Sequence, residues 1–153
     1  MKIELRNVKY AAFASQETAC FEAAVYIDGK REGSARNDGH GGMTFVEPRA
    51  LCERLDAYGA TLPPMEDYPD MKHTHDSVVD DLLSEYLTQR DLTRLLKGSV
   101  AIYRDGRIYK TKHHPTLQWN TPEALASTLT KTKGEKILNA LPFDEALALY
   151  KTI

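Results

Sequence analysis

Cysteine is scarce in this chain, with only Cys20 and Cys52 among 153 residues. Two thiols that far apart make neither a disulfide framework nor a cysteine-rich metal knuckle. They read as small buried groups in a reducing compartment. Long apolar runs are also missing: hydrophobic residues make up 42% of the chain, but no stretch approaches the length of a bilayer span. A membrane protein is therefore not expected. Lys2, Glu4 and Arg6 interrupt the first residues, so no secretion leader is expected either and the expected location is cytoplasmic. There is no surplus of one charge: 20 Lys and Arg stand against 22 Asp and Glu, for a net charge of -2. That excludes the strongly basic stripe of a dedicated DNA binder. The small asymmetry is internal, with 9 basic against 5 acidic residues from Lys97 onward and 11 against 17 before it. No internal repeat and no low-complexity segment is present. A chain of this length fits one domain over residues 1–153 and can bury a core without a metal or disulfide.

What is present is most concentrated between Phe21 and Gly42. Phe21, Ala23, Val25 and Ile27 alternate with Glu22, Ala24, Tyr26 and Asp28 at the period of two that a half-buried strand requires. Asp28-Gly29 follows as a tight hairpin turn, and Lys30 to Arg36 is the return strand, whose polar, glycine-containing make-up marks it as an edge or solvent-facing strand. The chain then leaves through Asn37-Asp38-Gly39-His40-Gly41-Gly42, where three glycines leave the backbone amides unscreened. Such a loop either turns sharply or lets something approach closely, and Asp38, Gly39, His40 and Gly41 are its candidate contact residues.

Several of these residues carry a resemblance. Phe13-Ala14-Ser15, Glu17-Thr18, Cys20-Phe21, Val25 to Lys30, Asn37-Asp38-Gly39 and Gly41-Gly42 resemble a family of small uncharacterised proteins carried by bacteriophages and prophages. Leu141-Pro142-Phe143-Asp144-Glu145-Ala146 is similar to it more loosely. The resemblance implies an accessory phage role in the host cell cytoplasm, such as acting on a host protein, a protein complex or a defence system. It carries over no reaction and no catalytic residue.

Along the rest of the chain, Lys2 to Tyr10 reads as a first strand, giving a three-stranded antiparallel meander. Pro48 opens a short amphipathic helix through Leu51, Leu55 and Tyr58, which Gly59 can end in the left-handed conformation. Pro63-Pro64 and Pro69 interrupt the connection from Ala60 to Thr74. The longest helix is expected from Asp76, with Asp91 able to cap a second segment and a kink near Gln89 to Asp91. Ser99 to Lys112 is a second hairpin around Asp105-Gly106. Thr121-Pro122-Glu123 opens a helix, the apolar side continues through Ile137, Leu138 and Leu141, and Pro142-Phe143 starts a terminal helix. The expected architecture is α+β: an antiparallel sheet built from the N-terminal meander and the second hairpin, with four or five helices.

All five histidines, His40, His73, His75, His113 and His114, fall outside these elements. Loop imidazoles near acids suit a zinc or manganese site, with His73, His75 and Asp76 as candidate ligands. His73-Thr74-His75-Asp76 is partly similar to the metallo-β-lactamase ligand run, but departs from it after the second His. Separately, His75-Asp76-Ser77 and His114-Pro115-Thr116 resemble the two His-x-Ser/Thr motifs of the 2H phosphodiesterases, which implies His75 and His114 as acid and base. The alternative is that Asp76 or Ser77 caps a helix. The hairpin with Arg104, Arg107, Tyr109 and Lys110 offers phosphate contacts beside a stacking ring for nucleic acid or a nucleotide, or else is a solvated edge. No motif calls for a cofactor, and nothing sets an oligomeric state. The expected function is binding of a host macromolecule, with a small phosphodiesterase as the alternative.

Overall fold

The computed structural model of the chain describes residues 1–64, 69–112 and 135–153. Its contacts divide into two compact units, Met1–Tyr86 and Leu87–Ile153. The class is α+β, and the strands form two antiparallel sheets where one was expected.

The first unit is built on strands β1 (Ile3–Tyr10), β2 (Phe21–Ile27), β3 (Lys30–Asn37) and β4 (Phe45–Glu47), in the order β1-β2-β3-β4. Phe21, Ala23, Val25 and Ile27 of β2 are buried as the alternation predicts, while on the other face Glu22 is exposed, Tyr26 is half-buried and Ala24 is buried as well. Asp28 and Gly29 both take positive φ, as a hairpin turn of matching twist requires. The expected meander of three strands has a fourth member, and β3 is consequently an inner strand rather than an edge. Its Gly33 has a packing reason, because a Cβ there would run into the Glu47 carbonyl and the Leu51 side chain. β1 slips register between Arg6 and Lys9, where Asn7 takes a positive φ of 54°.

Helix α1 (Arg49–Gly59) follows Pro48, which sits just before the first helical residue, and it buries Leu51, Leu55 and Gly59. Gly59 does not end it in a left-handed turn. The glycine lies inside the last turn with the His73 carbonyl against it, so a side chain is excluded by contact and not by φ. Helix α2 (His75–Gly98) is continuous over 24 residues. No break separates a second segment at Gln89 to Asp91, where neither glycine nor proline occurs, and Asp91 Oδ1 accepts from Arg90 Nε and Nη2 at 3.0 and 2.9 Å rather than capping a new segment. Within the first unit, α2 buries Val78, Val79 and Leu83. Each full burial of this kind is worth about 1.5–3 kcal/mol.

In the second unit, β5 (Ser99–Arg104) pairs with β6 (Arg107–Lys112) and with β7 (Lys136–Ile137), in the order β6-β5-β7. Asp105 and Gly106 form the positive-φ turn read from sequence. Ile137 and Leu138 belong to β7 and a 3-10 turn rather than to a helix. Helix α3 (Phe143–Tyr150) starts after Pro142 as expected. Leu92, Ala101, Leu138, Ala146 and Leu147 form the core. Asn139 ties its edges together: its Oδ1 accepts from Ala101 N at 2.8 Å, and its Nδ2 donates to the Leu96 and Ser99 carbonyls at 3.0 Å. Three helices are present among the described residues, against four or five expected, and the one expected from Thr121 lies outside them. No described helix is long and apolar enough to cross a membrane.

Candidate functional site

The glycine loop is held by a chain of side-chain hydrogen bonds centred on Asn37. This residue ends β3 with its amide buried, and Oδ1 accepts from Thr18 Oγ1 at 2.7 Å and from Gly39 N at 2.9 Å. Its Nδ2 donates to the Gly42 carbonyl and to Thr44 Oγ1, both at 3.3 Å. Thr44, almost fully buried, donates a hydrogen bond from its own hydroxyl to Asp80 Oδ1 at 2.6 Å. Each group satisfies its neighbour, as buried polar atoms must. Burial pushes the Asp80 carboxyl above its ordinary value, the Thr44 hydrogen bond opposes this, and the Asp76 and Asp81 carboxylates add to it.

A second set of bonds closes the loop from the other side. The Gly39 carbonyl accepts from the amides of Gln16 and Glu17 at 2.9 and 3.0 Å, and from that of Thr18 at 3.4 Å. Gly39 takes φ +84°, and a Cβ there would meet the Ala14 carbonyl and Cys20 Cβ. Both alternatives for this loop are therefore combined, a sharp turn and a close approach, but what approaches Gly39 is the chain's own backbone. Its amides are partly engaged too: Gly39 N with Asn37, and Gly41 N with Thr18 Oγ1 at 3.3 Å. Asp38, His40 and Gly41 remain exposed, with His40 Nδ1 3.3 Å from Gln16 Oε1.

Around this tied-down loop stand large apolar side chains in solvent. Phe13 is 93% exposed, Met43 66% and Phe45 63%. Phe13 adjoins Ala14, which packs on Gly39; Met43 ends the loop; Phe45 opens β4 opposite Arg36, whose guanidinium lies 5.9 Å from the ring centre. A groove of about 370 Å³ opens at the start of the loop, lined by Tyr10, Ala11, Cys20, Phe21, Arg36 and Asp38 among others. Sequence reasoning singled out Asp38, Gly39, His40 and Gly41, and missed Phe13, Met43, Phe45 and the Thr18, Thr44 and Asp80 supports. Thr44-Phe45-Val46 carries a faint signal for Phe45, since strand alternation buries its two neighbours and turns it outward.

The histidine cluster is occupied differently. Asp56 of α1 accepts from the His75 backbone N at 2.6 Å, and the same oxygen lies 2.9 Å from His75 Nδ1. Burial would raise the Asp56 carboxyl, but the hydrogen bonds from the His75 ring and backbone outweigh it and hold the group low. His75 thus opens α2 with a carboxylate on its first-turn amide. The cap is Thr74, two residues before the expected Asp76 and three before Ser77: its carbonyl accepts from Val78 N and its amide donates to Ser77 Oγ at 2.9 Å, half of a capping box, while Asp76 bonds the Thr74 hydroxyl. His73 Nε2 lies 3.1 Å from the Pro63 carbonyl and so carries the proton, leaving Nδ1 3.7 Å from Asp81 Oδ2. His73, His75 and Asp76 therefore face different partners, and among the described residues no three His, Cys, Asp or Glu side chains are grouped to hold a metal. His113 and His114 lie outside the described residues, so the His75 and His114 pairing does too.

The basic hairpin divides by register. Cross-strand pairs put Ile102, Arg104, Arg107 and Tyr109 on one face, and Ala101, Tyr103, Ile108 and Lys110 on the other. Arg104 pairs with Glu135, and its guanidinium lies 5.4 Å from the centre of the Tyr109 ring. Lys110 points away from that group, so the four candidate residues do not share one surface; Trp119 lies outside the described residues. Cys20 and Cys52 are free and half-buried. Burial raises the Cys52 thiol, which donates to the Val46 carbonyl at 3.2 Å.

Comparison with protein-family models, curated proteins and solved structures found no match to this chain.

Proposed function

We propose that the protein is a non-enzymatic accessory protein of a bacteriophage or prophage that works by binding a host protein, its specific form being antagonism of a bacterial defence system. One observation carries the binding reading: Phe13, Met43 and Phe45 stand in solvent around a loop immobilised by at least seven hydrogen bonds. Exposed aromatic and methionine side chains on a fixed backbone are what the centre of a protein interface uses, because little conformational entropy is lost on docking. Asp38 and His40 supply exposed polar groups on the same loop. The phage and host parts of the reading rest on the resemblance at Phe13 to Gly42.

The test is affinity capture from a bacterial lysate with wild-type protein and a Phe13→Ser, Phe45→Ser variant. The expected outcome is a stoichiometric host protein retained by the wild type and lost from the variant, whose side chains contribute little to the fold. Retention of that protein by the variant removes the surface from the account. Turnover of a phosphodiester, abolished by His75→Ala, overturns the binding reading in favour of the phosphodiesterase one.

A further inference from the structure

The second unit carries an open cleft of about 1110 Å³, formed by the second half of α2, β6 and the C-terminal residues. Its floor is apolar and anchored. Leu95, Ile108 and Tyr150 are half-buried and pack against the core of Leu92, Ala101, Leu138, Ala146 and Leu147, so these side chains are fixed before any ligand arrives. Its rim is cationic, with Arg94, Lys110 and Lys151 exposed. Asp91 has the one acidic side chain among the described lining residues, and Arg90 already neutralises it with two nitrogens on one oxygen. The cleft therefore offers a net positive rim over an apolar floor holding one aromatic ring.

We propose that this cleft binds a nucleoside phosphate, either free or as part of a single strand. The chemistry matches in both halves: a base is a flat apolar body with a face that stacks on a tyrosine, and phosphates complement the exposed Arg94 and Lys110. The competing occupant is an extended peptide paired to β6, an edge strand among the described residues; the cationic rim matches phosphates rather than a neutral peptide backbone, and an acidic peptide is the control. Lys110 is on the face of β6 opposite to Tyr109, so this site is distinct from the Arg104, Arg107 and Tyr109 face of the hairpin.

The test is equilibrium binding to the full chain, using ATP, adenosine, inorganic triphosphate, a single-stranded oligonucleotide and an acidic tyrosine-containing peptide as probes. Expected is saturable ATP binding, with adenosine and triphosphate each weaker by about tenfold or more, since each lacks one half of the recognition. Arg94→Glu with Lys110→Glu changes only exposed side chains and is expected to weaken ATP by at least about tenfold. Tyr150→Leu is expected to weaken ATP while leaving triphosphate unchanged. An oligonucleotide tighter than ATP at the same residues assigns the ligand to a single strand, and the reverse assigns it to a free nucleotide. The proposal is overturned by absent binding of both ATP and the oligonucleotide, by triphosphate as tight as ATP, by an undiminished charge-reversed variant, or by binding of the acidic peptide alone.

Discussion

Asp80 and Asp56 show how two carboxylates on neighbouring helices acquire opposite relations to pH. Asp80 is raised because burial disfavours its charged form, and the folded state therefore holds its proton more tightly than the unfolded chain does. The stability it contributes is complete below the unfolded pKa, near 3.9, and is lost as pH rises through the folded value. Asp56 is lowered by His75, so its contribution is present above the unfolded value and is lost as pH falls through the folded one. Replacing Asp80→Asn keeps a carbonyl oxygen for the Thr44 hydroxyl and removes the unfavourable charge. We expect the melting temperature at pH 7 to rise by a few degrees, with the difference from wild type disappearing below about pH 4. A lower melting temperature at pH 7 would show that the Thr44 bond needs the full charge of a carboxylate.

At the scale of the element, the glycine loop contains three left-handed glycines, of which Gly39 and Gly42 have different reasons to be glycine. Gly42 has φ +95° and open space where a Cβ would sit. Gly39 has φ +84° and the Ala14 carbonyl and Cys20 side chain in that place. Gly42→Ala is expected to cost about 1–2 kcal/mol for the backbone conformation alone. Gly39→Ala carries that cost and also pushes the 12–18 segment off the Gly39 carbonyl, for a total of about 3–4 kcal/mol. Urea unfolding of the two variants checks this, and equal losses would mean that the 12–18 segment yields without cost. The same scale explains the hairpin. Its existence was legible in Asp105-Gly106 and in the flanking alternation, but alternation also means that Tyr109 and Lys110 cannot serve one surface.

For the molecule as a whole, the two units each have their own core, with Leu55 fully buried in the first and Leu92 in the second. Truncating either to alanine is expected to cost about 2–5 kcal/mol. Hydrogen exchange locates that loss. Leu55→Ala is expected to raise exchange chiefly in β1 to β4 and α1, and Leu92→Ala chiefly in β5, β6 and α3. Uniform acceleration along the chain in both variants would show one cooperative unit instead.

The elements were legible where local rules decide them. Period-two alternation with Asp-Gly turns marked β2, β3, β5 and β6, and helical spacing with Pro48 and Pro142 marked α1 and α3. Local rules also drew attention to Asn37 to Gly42, because three glycines need a backbone reason. What sequence could not supply was every relation between distant residues. The fourth strand that makes β3 an inner strand and the separation of the two sheets depend on pairings that no local window contains. The roles of the polar residues went the same way. Asn37, Thr44 and Asp80 are up to 43 positions apart in sequence and form one hydrogen-bonded chain, while His73, His75 and Asp76 are near neighbours that face three different partners. Sequence proximity sets which residues share a turn; the packing of strands and helices alone sets which side chains meet.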